Sequence, residues 1–354
     1  VDNAHSRYVA VNADWCYNRN MATAVIRQQK QVSGLRPIDP SRDLGKVASL
    51  IQTAFANDLD RAGQSMLREM RTLSRLGPLL WWFDQASPAM NDLLSGFVWV
   101  EDGQVVGNVT VSQVSPVSQR WVISNVAVAP EYRGRGIGRM LMQAALNSIR
   151  AWQGRCVTLQ VRDDNAVALH LYRALGFREV FGTTYLRLDQ VPGDIPLPSS
   201  APGIHFRRLC AADAPQAYQL ARLATPEAVQ VEQPIRATRY ALSFETRLGD
   251  WLKTLLGSGP PLRLVAMSHD QMQALLIAEP TAWRSEGHIS LVVHPSCRGL
   301  VERRLIAQAL RHLRRWSQDV AVARHPTYHP EGIQAFDSFG FRKERTLLWM
   351  RCEL

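Results

Sequence analysis

The sequence predicts an α/β (α+β) chain in which a mixed, largely antiparallel sheet is covered by helices, laid out twice in tandem. Three observations carry this. Apolar runs of strand period alternate with runs of helix period. A set of landmarks recurs in the same order at a nearly constant offset. A glycine-rich turn joins an apolar strand to an amphipathic helix. The chain has 354 residues, which suggests about two domains.

In chain order, Leu35–Ile38 reads as a short strand, and Ser41 suits the N-cap of a following helix. Val47, Leu50, Ile51, Ala54 and Phe55 give that helix its apolar face. A second helical region is expected from about Met66 to Phe83. Phe97–Glu101 and Val105–Gln113 flank Asp102-Gly103, a two-residue hairpin signal. Trp121–Val128 is the next strand, followed by the glycine-rich turn and a helix. Val157–Arg162 is another strand and Ala166–Ala174 another helix. The expected order is β-α-α-β-β-β-α-β-α-β.

The pattern then repeats. Val128-Ala-Pro-Glu-Tyr-Arg-Gly134 corresponds to Val293-His-Pro-Ser-Cys-Arg-Gly299, and each precedes a helical apolar pattern. Tyr172-Arg-Ala-Leu-Gly-Phe177 corresponds to Phe336-Asp-Ser-Phe-Gly-Phe341, and the endings Tyr185–Leu188 and Trp349–Cys352 also match. Leu35-Arg36 and Phe206-Arg207 open the two copies more loosely. Between them, prolines 192, 196, 198 and 202 with Gly193, Gly203 and two serines have the composition of a linker. The expected organisation is an N-terminal extension (1–34), a first unit (35–190), a linker (191–203) and a second unit (204–354).

Hydrophobic residues make up 46% of the chain and charged residues 20%, the balance of a globular protein. No apolar run is long enough to span a membrane, and the patch Ala22–Ile26 is too short for a secretory signal, so a cytoplasmic protein without a membrane partner is expected. Five dispersed cysteines, with no CxxC pair, argue against a disulfide framework or a zinc site and suit a reducing compartment. The net charge of +10, nearly all from Arg, favours anionic ligands, although scattered surface Arg would give the same total. A nucleic-acid partner is disfavoured, because no reading helix or aromatic-basic platform is visible.

Arg133-Gly134-Arg135-Gly136-Ile137-Gly138 has the chemistry of a phosphate cradle. Free N–H groups at a helix start attract anions, glycines allow close backbone approach, and arginines add charge-assisted contacts. The spacing is not the dinucleotide GxGxxG, and no Lys-Ser/Thr follows as in a P-loop. The segment from Asn125 through Leu141 resembles motif A of the GNAT acetyltransferase superfamily, and Asn165–Phe177 resembles its motif B. The resemblance covers residues 35–189 well and 204–354 weakly. It implies two tandem GNAT-like acyl-CoA N-acyltransferase domains, with acetyl-CoA as co-substrate and no metal. Val126, Ala127 and Val128 would lie on a splayed strand whose backbone bonds the pantetheine arm. The N–H groups of Arg133, Gly134, Arg135, Gly136, Ile137 and Gly138 would hold the pyrophosphate. Asn165 would bond the pantetheine or the phosphate side, and Tyr172 would direct its hydroxyl at the thioester sulfur. Asn165 also suits a helix N-cap, and Tyr172 has core spacing with Ala168, Leu169, Leu171 and Leu175.

The implied activity is transfer of an acetyl group to a primary amine, on a small molecule or on a protein N-terminus or lysine. Tyr172 is the candidate general acid for the departing thiolate. The general base is not visible: Val122–Asn125 and Leu159–Arg162 hold no carboxylate, leaving Glu101, Asp163 or Asp164 to act through water. In the second copy Val301 and Arg303 replace two turn glycines, Glu302 adds a negative charge, and Phe336 replaces Tyr172. That copy is expected to bind no acyl-CoA and to serve as scaffold, substrate wall or homodimer surface. Trp81-Trp82-Phe83 could line an acceptor pocket, but an aromatic cluster is more often core. The competing reading is an acyl-CoA binding protein with little catalysis.

Overall fold

The computed structural model describes residues 33–55, 64, 67, 68, 70–72, 95–115, 119–241, 249, 250, 254, 257, 259–281 and 286–354. Packing groups the chain into two compact units that divide between Arg155 and Cys156. Residues 1–32 of the N-terminal extension, the Trp81-Trp82-Phe83 cluster and most of the second helical region lie outside the described residues; Leu67, Arg68, Met70, Arg71 and Thr72 are helical.

The first unit opens with β1 (Gly34–Pro37) and α1 (Pro40–Ala54). Asp39, not Ser41, caps α1: its carboxylate accepts from the Ser41 N–H, and Pro40 supplies the fixed φ that a first helical residue needs. β2 (Gly96–Glu101) and β3 (Gln104–Ser115) form the expected hairpin, with Asp102 (φ 47°) and Gly103 (φ 74°) both left-handed. β4 (Arg120–Val128) completes an antiparallel sheet of order β1-β2-β3-β4. α1 buries Val47, Ala48, Leu50 and Ile51 with Val98, Val100 and Ala127. α2 (Ile137–Ala151) packs on β2, β3 and β4 through Ile137, Leu141, Met142, Ala145, Leu146 and Ile149.

The second unit contains β5 (Cys156–Arg162), α3 (Ala166–Ala174), β6 (Arg178–Leu188), β7 (His205–Arg208), α4 (Ala214–Ala224) and α5 (Glu227–Glu232). There follow β8 (Leu262–Ser268), β9 (Gln271–Glu279), β10 (Glu286–Val293), α6 (Glu302–Arg315), β11 (Val320–Pro326), α7 (Pro330–Asp337) and β12 (Arg342–Glu353). Its sheet runs β5-β12-β6-β11-β10-β9-β8-β7, mixed through one parallel pair, β10 with β11. Helices cover both faces. α6 lies on the large core with Leu276, Leu291 and Val293, and α4 buries Ala217 and Leu220 against Val265 and Met272.

This strand order contains an exchange that the sequence does not announce. β6 closes the first sequence copy and β12 the second. β12 nevertheless pairs with β5, β6 pairs with β11, and the two exchanged strands pair with each other, all antiparallel. The 191–203 segment is a docked strap as well as a connection. Val191 and Ile195 are buried, Arg311 Nε donates to the Ile195 carbonyl at 2.8 Å, and Val191 N–H donates to Asp319 O at 2.7 Å. Proline-rich composition therefore describes the strap's local backbone, while its apolar residues join the core of the second unit.

The two copies also share a bracket. Arg36 binds Asp43 bidentately at 2.6 and 2.8 Å, and Arg207 binds Asp213 at 2.6 and 2.8 Å. In each, the carboxylate also accepts a backbone N–H at 2.8 Å, from Asp39 and from Cys210.

Candidate active site

The glycine-rich turn lies wholly in the first unit. A 3-10 turn over Pro130–Tyr132 leads out of β4, and Arg133 is extended (φ −67°, ψ 159°). Gly134 (φ 78°) and Gly136 (φ 76°) are then left-handed, and Gly136 is the N-cap of α2. A Cβ at either glycine would meet nothing within 4 Å, so conformation and open space, not packing, require glycine there. The first helical bond runs from the Met140 N–H to Gly136 O. Among the described residues, the N–H groups of Gly134–Arg139 have no acceptor in the protein. α2 has no acidic residue in its first turn to compete for them. Arg133 Nε is anchored on Val128 O at 3.1 Å, and Arg135 lies over the Tyr132 ring while reaching Glu101 at 3.5 Å. The turn is an open, positively biased run of free backbone donors.

Strand β4 carries a bulge immediately before this turn. Asn108 on β3 pairs with Ala127 and Thr110 pairs with Ser124, so Asn125 and Val126 together oppose one residue of β3. Asn125 takes φ 51°, a left-handed angle that Asn tolerates better than most side chains. Asn108, fully buried, holds the bulge by donating Nδ2 to Asn125 O at 2.9 Å, and Asn125 Nδ2 donates to Thr110 Oγ1 at 3.3 Å. A carbonyl acceptor fixes which amide atom of Asn108 faces it, and its Oδ1 is left buried without a partner. Val126, Ala127 and Val128, the expected pantetheine strand, are therefore re-aimed by the bulge, with Ala127 buried.

Asn165 and Tyr172 lie in the second unit. Asn165 is the N-cap of α3, its Oδ1 accepting from the Ala168 N–H at 3.1 Å. Tyr172 is buried beside Phe177, ring centroids 6.0 Å apart, and burial pushes its phenol up to about 12. Such a phenol keeps its proton at neutral pH and is a donor, not a base.

The three carboxylates expected to serve as base are each engaged. Glu101 meets Arg135 at 3.5 Å and Trp99 Nε1 at 3.4 Å. Asp163 pairs with Lys343, and Asp164 pairs with Arg162, whose hydrogen bond draws the Asp164 carboxyl below its usual range. Among the described residues no group of His, Cys, Asp and Glu is placed to hold a metal ion, and no helix is long and apolar enough to cross a membrane.

In the second copy, Glu302 is buried and accepts from the Gly299 N–H at 2.8 Å, the Val301 N–H at 3.1 Å and His329 Nε2 at 2.9 Å. His329 Nδ1 meets His325 Nε2 at 2.9 Å. The sequence pointed to Glu302 as a charge in the wrong place. The two histidines were missed; their i, i+4 spacing was the available signal. Phe336, where the first copy has Tyr172, is fully buried against Phe341 and His325.

Residues 62–177 match the Acetyltransferase (GNAT) family. The chain is 42% identical over 76 residues to streptothricin acetyltransferase of Streptomyces lavendulae, covering 22% of this chain and 40% of that one. It is 39% identical over 79 residues to the N-alpha-acetyltransferase RimI of Mycobacterium tuberculosis, covering 22% and 48%. The chain thus spans less than half the length of these relatives. A crystal structure of a GCN5-related N-acetyltransferase from Sphaerobacter thermophilus aligns over 90% of this chain and 95% of that one, with a TM-score of 0.58 and 18% identity. At that identity the likeness is one of fold.

Proposed function

We propose that the chain is an N-acetyltransferase that moves an acetyl group from acetyl-CoA to a primary amine by direct attack in a ternary complex. The turn Arg133–Gly138 carries this reading, because its left-handed glycines and free N–H groups suit the pyrophosphate of an acyl-CoA. The named relatives favour the same chemistry.

In this reading the bulged β4 offers backbone groups of Val126–Val128 to the pantetheine arm, and Asn165 holds α3 in place through its cap. The acceptor amine, with a pKa near 10 in water, gives up a proton before its nitrogen attacks the thioester carbon. The C–S bond then breaks, the sulfur takes the proton that Tyr172 holds, and the second proton released by the acylated nitrogen restores the Tyr172 phenol. The proton that the amine lost before attack passes to solvent or to a carboxylate through water. The acceptor is a small amine or a peptide amine: among the relatives' names, streptothricin speaks for the first and N-alpha acetylation for the second.

A second reading, an acyl-CoA binding protein without turnover, is favoured by one observation: Glu101, Asp163 and Asp164 each face a cation. A thiol-release assay with acetyl-CoA over a panel of small amines and N-terminal peptides separates the two. Release above the hydrolytic background with at least one amine supports transfer. Binding of acetyl-CoA with no release across the panel supports the second reading.

A further inference from the structure

The second copy of the turn keeps most of its backbone while losing its openness. His294 (φ −58°, ψ 137°) follows the path of Ala129 (φ −55°, ψ 138°), and Arg298 (φ −63°) that of Arg133 (φ −67°). Gly299 (φ 81°) matches Gly134 (φ 78°). The paths part at Val301 (φ −114°, ψ −21°), which stands where Gly136 has φ 76° and ψ 0°. A β-branched residue does not take the left-handed angle, so the backbone turns the other way at this N-cap and Val301 enters the core.

We propose that this second turn is an anion site filled by the chain's own Glu302 carboxylate, and that truncating Glu302 opens a pocket for a small monocarboxylate. Two backbone donors of the turn, Gly299 N–H and Val301 N–H, end on the two oxygens of that one carboxylate. The same kind of donor is free in the first copy. The third donor, His329, is buried at 2% exposure and has no solvent to turn to. His325 backs it at 2.9 Å, and a Cβ on Gly332 would come within 2.1 Å of His325 Nε2, so glycine at 332 keeps room for the relay. Burial opposes the ionised form of Glu302, but the His329 bond and the Gly299 N–H outweigh it and hold the carboxyl below its usual range. The site is thus built from a helix start, two amides and a buried imidazole, and its ligand is covalently attached. This inference stands whether or not the first copy catalyses acetyl transfer.

The test is chemical rescue in the full chain. Glu302→Ala leaves the three donors facing a gap the size of the lost side chain. Its melting temperature at pH 7 in sodium chloride is expected to fall by about 5–15 °C, because breaking a buried pair strands its partners. Replacing chloride by formate at equal ionic strength is expected to recover at least about half of that loss, in proportion to formate binding. Glu302→Gln, which fills the gap with an amide, is expected to lose stability and to gain nothing from formate. Wild-type-like melting of Glu302→Ala, or a formate effect no larger than that of chloride, would overturn the proposal. If Glu302→Ala does not fold in chloride, its refolding yield in formate reads the same property. Equal yields in the two salts count against it.

Discussion

Tyr172 keeps its proton over the whole range in which an acetyl-transfer assay can be run, because burial holds its phenol at about 12. An unfolded tyrosine titrates near 10, so the buried group is still a donor where a free one has begun to ionise. In the proposed reaction Tyr172→Phe is expected to lower turnover by about tenfold or more while acetyl-CoA affinity stays near wild type. The pH profile of the wild type should carry no alkaline fall below about pH 10 from this group. Unchanged turnover in the Phe variant would remove Tyr172 from the mechanism. Asn165 and Tyr172 were singled out in the sequence through the resemblance of Asn165–Phe177 to motif B, and they fall at the cap and in the body of one short helix. The cap made by Asn165 was legible too, since Asn at that place suits either use. The bulge at Asn125 was not, because it exists only as a mismatch of register between β3 and β4. An Asn within an apolar strand was its one local trace.

The two turns show how much an element depends on a single backbone angle. Copying the second turn into the first, Gly136→Val, places a β-branched residue at φ 76°. Helix α2 should survive, held by Leu141, Met142 and Leu146, while acetyl-CoA affinity drops by at least about tenfold, measured by titration calorimetry. The Arg–Asp brackets at the start of each copy give a separate, pH-dependent prediction. Arg207 draws Asp213 well below the usual carboxylate range, with the Cys210 N–H assisting. Its folded pKa is lower than its unfolded one, so the stability it contributes is present above about pH 4 and is lost as the pH falls below that. Arg207→Ala should therefore melt lower than wild type at pH 7, and the gap should narrow towards pH 2–3. A gap independent of pH would assign the bracket's effect to packing alone. The arginines of both brackets stood out in the sequence as openings of the repeat. Asp43 and Asp213 did not, because nothing local distinguishes them from other first-turn acids.

At the scale of the whole chain, the repeat and the pairing of strands divide the protein differently. The repeat breaks at 191–203, but β5 has β12 as its partner and β6 has β11 and β12. A chain ending at residue 190 would leave β5 and β6 with unpaired edges in place of those ladders. Such a truncation is expected to aggregate or associate on size-exclusion chromatography, and a folded monomer with native acetyl-CoA affinity would contradict this. Fold class and duplication were legible because hydrophobic period and turn chemistry are local. The exchange was not, since β6 and β12 have similar patterns and either would satisfy the same neighbours. The docked strap was hidden for a related reason: Val191 and Ile195 are single apolar residues inside linker-like composition. One open turn and one self-filled turn predict a chain with a single acyl-CoA site. Titration calorimetry with acetyl-CoA on the wild type and on Gly136→Val measures this. One site per chain in the wild type, severely weakened in the variant, is the predicted result. Two equivalent sites, or a variant that binds as the wild type does, would contradict it.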